Sequence, residues 1–155
     1  MERIRFKQKP IDIPPEYRPM YQISLAIMVL HYCCKNNAAT LLKLHLFSWC
    51  LYSEDNMNIM KEFINNKYRT QTPYWCIDPT LNRALQYGVA DNIFETETKT
   101  DQIIRYKLTD KGKILAKKIE DDTELLVNEK EFLSKIGFKL KDTKIIELSS
   151  RKLGL

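Results

Sequence analysis

From Asp78 to Leu115 the spacing of apolar positions changes twice. Over DPTLNRALQYGVADN, Leu81, Leu85 and Val89, with Ala84 and Tyr87 to Gly88 beside them, recur at helical intervals and predict one apolar face. Asp78 is a natural N-cap and Pro79 suits the first helical position. In the segment that follows, Ile104, Tyr106 and Leu108 alternate with Ile103, Arg105 and Lys107, the period of a half-exposed antiparallel strand. IFETETKTDQ supplies its partner strand and a polar tip. Thr109 can cap a further helix in which Ile114, Leu115 and Ile119 point inward. A helix, a two-stranded flap and another helix make up the second half of a winged-helix domain.

Upstream, Arg3, Arg5, Lys7 and Lys9 are interleaved with Pro10, Pro14 and Pro15, a proline density that excludes a helix, so residues 1–16 read as an extended arm. From Arg18 a helical stripe begins at Tyr21, Leu25, Met28, Val29 and Tyr32, widened by Ile27 and Leu30. Lys35, Asn36 and Asn37 break it, since Asn tolerates left-handed backbone. A second helix, from about Ala39 to Tyr52, is apolar almost all round except at Lys43, His45 and Ser48, which predicts a central place in the core. Ser53 caps a third, amphipathic helix with Met57, Met60, Phe63 and Ile64 on one face. Tyr74, Trp75, Cys76 and Ile77 form a β-prone run between two prolines, a candidate first strand of the small sheet. Beyond the flap, helices are expected near Glu124 to Ile136 and Asp142 to Leu153, with a break at Gly137. The expected class is therefore α-rich α+β: a winged-helix domain over 17–120 with a small antiparallel β wing, and a helical C-terminal extension over 121–155, in one globular unit.

Composition agrees with such a unit. The 155 residues suffice to bury a core without disulfides or metal, and 44% hydrophobic with 29% charged residues is ordinary for a globular protein. The first residues, MERIR, carry no signal-peptide pattern, and the longest apolar stretch, Ile23 to Leu30, is too short to span a bilayer, so a cytoplasmic, non-membrane protein is expected. A net charge of +5 permits a polyanionic partner without demanding one.

Catalytic and metal chemistry find little support. Cys33, Cys34, Cys50 and Cys76 sit in apolar segments without paired spacing, which suits reduced, buried thiols. His31 and His45 lie near them, but adjacent Cys33 and Cys34 point about 100 degrees apart on a helix and do not make the paired ligands of a zinc site. There is no base held by a third group beside a nucleophile, and Gly88 and Gly112 stand apart rather than in a phosphate-cradling loop. No enzyme activity, metal or cofactor is expected.

Two uses of such a domain remain, reading DNA or docking a protein. The helix opening at Asp78 offers Asn82, Arg83 and Gln86 to a duplex, with Asp78 and Asp91 repelling phosphate at its ends. The wing carries Lys99, Arg105 and Lys107 among Glu95, Glu97 and Asp101, a mixed surface that gains little from counterion release. Candidate nucleic-acid contacts are thus Arg3, Arg5, Arg83, Arg105 and Lys107, with the tail lysines Lys139, Lys141 and Lys144 as further, solvated candidates. The candidate partner surface combines Trp75, Arg83 and Tyr87 with the wing from Lys99 to Arg105, because aromatic and arginine side chains dominate interface hot spots. Trp75, like Tyr74 and Trp49, serves equally well as a core residue.

The segments RPMYQISLAIMVLHYC, ATLLKLHLFSWCL, DPTLNRALQYGVADNIFE and YKLTDKGKILAKKIEDD, in this order, resemble the small middle component of bacterial ABC-three-component systems, which include the Lamassu-type anti-phage defence operons. The likeness covers roughly Arg18 to Leu148, most specifically LLKLHLFSW and PTLNRAL. It implies a non-catalytic accessory subunit that joins an SMC-like or Rad50-like ATPase to an effector, often a nuclease, with DNA sensed by the ATPase. One departure from a simple helix-turn-helix is that an amphipathic helix and a short strand separate the second helix from the one at Asp78, where a turn of three or four residues is usual. A DNA-binding transcriptional regulator is the alternative function.

Overall fold

The computed structural model describes residues 18–69, 73, 75 and 77–152. The arm at 1–16, with Arg3 and Arg5, lies outside them.

The first helix, α1 (Pro19–Cys33), starts with proline at its first turn and runs through the middle of the molecule. Every residue from Leu25 to Leu30 is at most 5% exposed, because α2, α4, α5 and α6 all pack around it. A helix apolar on every side has no other stable place. A single turn of 3-10 helix at Lys35–Asn37 ends this run, and Asn36 and Asn37 take φ of 57° and 54°, the left-handed backbone that Asn accepts most readily after Gly.

Strand β1 (Ala38–Thr40) follows at once, and Thr40 then caps α2 (Leu41–Tyr52) by accepting a hydrogen bond from the Lys43 amide. The expected start at Ala39 is displaced by two residues because the chain is still paired in the sheet there. Ser53 caps α3 (Glu54–Asn65) through the Asn56 amide, and Met57, Met60 and Phe63 form its buried face. Helix α4 (Pro79–Ala90) is capped by Asp78, whose carboxylate accepts from both the amide and the hydroxyl of Thr80.

Strands β2 (Phe94–Thr98) and β3 (Ile104–Leu108) form the expected hairpin, with Phe94 opposite Leu108 and Thr98 opposite Ile104. The sheet has three antiparallel strands in the order β1-β3-β2. Its first strand is Ala38–Thr40, with Ala39 opposite Tyr106, and not the run around Trp75. Trp75 and Ile77 adopt no strand, while Tyr74 and Cys76 lie outside the described residues. Three residues rich in alanine are too short to show a period of two, so this second pairing partner of β3 is not visible in local sequence.

Thr109 caps α5 (Asp110–Asp121) by accepting from the Gly112 amide. Ile114 is exposed here, contrary to expectation, and the seam against the core is Gly112 and Ala116 with Leu115 and Ile119 half-buried beside it. Tyr87 and Val89 of α4 likewise turn outward, since Leu81, Ala84, Leu85 and Gly88 take the inner face.

The expected helix at Glu124 begins later, as α6 (Val127–Ile136): the Asp122 carboxylate accepts from the Glu124 and Leu125 amides, and Leu126 is left-handed at φ 51°. Gly137, at φ 50°, ends α6 in a conformation that a side chain would strain, and α7 (Asp142–Lys152) follows. Phe132, Leu133, Ile136, Leu140, Ile145 and Leu148 are all buried in the same apolar cluster as α1 and α2. The last two helices therefore share one core with the rest.

Among the described residues no helix is long and apolar enough to cross a membrane. Among them, too, no group of three or more His, Cys, Asp or Glu side chains is arranged to hold a metal ion. Cys33, Cys34 and Cys50 are buried free thiols, and Cys33 donates to the Leu133 carbonyl at 3.3 Å.

Candidate partner and anion interface

Helix α4 presents a narrow outer face. Arg83, Gln86, Tyr87 and Val89 are exposed, with Tyr87 at 50%. Arg83 and Tyr87 are one turn apart and share that face. Asn82, which the sequence offered to a duplex, is turned inward: its Oδ1 accepts from His45 Nε2 at 2.9 Å. His45 Nδ1 in turn accepts from the Asp78 amide at 3.1 Å. These two bonds define the neutral ring with its proton on Nε2, and burial also lowers the His45 pKa, against smaller opposing effects of Asn82 and Asp78. The imidazole thus clamps the start of α4 to α2, and the helix keeps only Arg83 and Gln86 as long polar side chains on its exposed side.

Trp75 departs from the expected surface. It is 4% exposed and belongs to the apolar cluster, so its indole serves packing in this chain.

The hairpin residues belong to a different place. Lys99 and Arg105 line a cleft of about 280 Å³ between the polar face of the sheet, the corner joining α1 to β1, and the turn from α6 to α7. Lys35, Lys43 and Lys141 complete its cationic lining, against Glu97 and Asp142. Arg83 and Tyr87 are not among the lining residues, so the expected partner surface divides into an α4 face and a hairpin cleft. Lys107 faces a separate, shallow depression with Glu95, Thr109 and Lys111, and its ammonium is 4.0 Å from Glu97.

Within the cleft Arg105 is held in place. Its guanidinium donates to both carboxylate oxygens of Asp101, at 3.1 and 2.7 Å, and to the Ile103 carbonyl at 3.3 Å. That two-pronged contact holds the Asp101 carboxyl down at about 2 and raises the Arg105 pKa. Lys43 is the buried member, with a side chain 6% exposed and its ammonium 3.5 Å from Asp142 Oδ1. Lys35, Lys99 and Lys141 are exposed and make no ion pair with another described residue.

Along the sequence Lys99 and Arg105 stand out as wing cations, and Lys141 only as a solvated tail lysine. In the sequence Lys35 and Lys43 stand only as interruptions of helical stripes. A lysine in the middle of LLKLHLF was the available signal, because a buried ammonium requires a partner. That partner, Asp142, lies 99 positions away, beyond the reach of local pattern.

Compared with known proteins, the chain matches no family model, no curated protein and no solved structure.

Proposed function

We propose that this chain is a winged-helix accessory subunit without catalytic activity, linking an SMC-like or Rad50-like ATPase to an effector in a bacterial antiviral complex. The winged-helix reading is supported by the sheet order β1-β3-β2 with its short first strand between the first two helices, the arrangement expected of that fold, here with α3 as an additional helix. The choice of docking over DNA reading rests chiefly on one observation. The helix preceding the hairpin commits Asp78 and Asn82 to internal hydrogen bonds and exposes Tyr87 and Val89 beside Arg83. A face with two apolar side chains and few donors suits burial against protein better than readout of base edges. The four segments that resemble the middle component of ABC-three-component systems supply the identity of the partners.

The test is co-expression with an SMC-like or Rad50-like ATPase of the kind this reading expects beside the gene, comparing the wild type with Arg83→Glu and Tyr87→Ala. Loss of co-purification by both variants, with unchanged circular dichroism, supports the reading. Intact assembly together with tight, salt-sensitive binding of a DNA duplex that Arg83→Glu abolishes would replace it with the transcriptional regulator.

A further inference from the structure

The cationic cleft is not explained by docking through α4. Five cationic side chains and two acidic ones line it, Asp101 neutralises Arg105 from beside the lining, and the excess resides on Lys35, Lys99 and Lys141, which make no ion pair within 4 Å among the described residues. Like charges gathered around a concave, low-dielectric wall repel one another, and this costs stability unless an anion enters. At the inner end, Lys43 is neutralised in part by Asp142. At the side, Asp101 and Ile103 take three of the five N–H donors of Arg105 and fix its orientation, which leaves the remaining two for a further acceptor with little loss of conformational freedom.

The composition of the cleft narrows the ligand. A single carboxylate would leave most of the excess charge unmatched, whereas a terminal phosphate or diphosphate carries two or more negative charges and several acceptor oxygens. A volume of about 280 Å³ admits one or two phosphoryl groups and not a duplex. Phe138, on the same lining, is 54% exposed although it is a large aromatic. An aromatic face beside a cationic groove is the usual platform for a nucleobase.

We propose that this cleft binds the phosphate end of a nucleotide, with phosphoryl oxygens among Lys35, Lys43, Lys99, Arg105 and Lys141 and the base against Phe138. The same chemistry is offered by a free nucleoside diphosphate or triphosphate and by the 5′-phosphorylated end of a single strand. The site is independent of the α4 face, so its failure would leave the docking reading intact.

The experiment uses the full chain at low ionic strength. Calorimetry measures binding of pyrophosphate, of ADP, and of a short single strand with either a 5′-phosphate or a 5′-hydroxyl. Pyrophosphate and ADP should bind, and Lys35→Glu with Lys141→Glu should weaken both by roughly tenfold or more, whereas Lys113→Glu with Lys118→Glu on α5, the same change in net charge, should not. Phe138→Ala should weaken ADP and leave pyrophosphate unchanged. A strand held tighter with the 5′-phosphate than without it, and displaced by pyrophosphate, identifies the strand end as a source; ADP binding without that preference identifies the free nucleotide. Absence of pyrophosphate and ADP binding, equal weakening by the two double reversals, or equal affinity for both strands with neither displaced by pyrophosphate would each overturn the proposal.

Discussion

His45 on α2 and Asn82 on α4 are joined by a 2.9 Å hydrogen bond, across 37 positions of sequence, and the other nitrogen of the same ring caps the approach to α4 through the Asp78 amide. Only the neutral imidazole makes both contacts, since a protonated ring has no acceptor. The burial that disfavours its charge lowers the His45 pKa below the ordinary value near 6.5. The unfolded chain therefore takes up a proton at a higher pH than the folded one. Stability from this residue is present above the unfolded pKa and is lost as pH falls from there through the lowered folded value. Urea denaturation at pH 7.5 and 5.0 should show a larger fall for the wild type than for His45→Gln, which cannot titrate. An equal fall in both would remove the clamp from the account.

Gly112 on α5 approaches the backbone too closely for a side chain. A methyl group there would lie 2.3 Å from the Ile93 carbonyl oxygen and 3.0 Å from Leu108 Cδ2. Alanine ordinarily stabilises a helix interior by up to about 1 kcal/mol over glycine. Here the steric cost should exceed that gain, and Gly112→Ala is expected to destabilise by about 1–3 kcal/mol. Thermal unfolding decides the matter: a rise in Tm would show that α5 and the start of the hairpin are not in this contact.

The C-terminal helices should behave as core. Phe132 is 2% exposed within the cluster that contains α1, and truncating such a ring leaves a cavity. Phe132→Ala is expected to cost about 3–5 kcal/mol, against a change within about 0.5 kcal/mol for Tyr52→Ala, whose side chain is exposed. Chemical denaturation of both variants measures the difference.

Thiol chemistry offers a further check. Burial pushes the thiols of Cys33 and Cys34 up to about 12 and raises that of Cys50 as well. At pH 8 almost no thiolate is present at these positions, and the thiolate is the reactive species. Iodoacetamide should leave the peptides carrying Cys33, Cys34 and Cys50 unmodified in native buffer and label them in denaturant, as read by mass spectrometry. Native labelling of any of the three would place it on the surface.

Much of the architecture was legible along the chain because its determinants are local. Thr40 came within the predicted second helix, but Ser53, Asp78 and Thr109 were each recognisable as caps, since a cap is a side chain meeting an amide two or three residues ahead. The period of two over Ile104 to Leu108 and the helical period over α4 likewise depend on neighbours only. By contrast β1 is not legible along the chain, because Ala38–Thr40 becomes a strand only through pairing with Arg105–Lys107, some 65 positions later, where loop closure must already have brought the segments together.

What the sequence by itself determined was the order of elements and the inner face of most of them: periodicity and capping are encoded within a few residues of where they act. Tertiary structure decided which exposed groups meet. It turned Trp75 and Asn82 inward, left Tyr87 beside Arg83 on the outer side of α4, and gathered Lys35, Lys43, Lys99, Arg105 and Lys141 from distant segments around one cleft. The physical reason is that charge and aromatic contacts act through space, while hydrophobic period acts along the chain, and only the packing of α1 against four other helices converts one into the other.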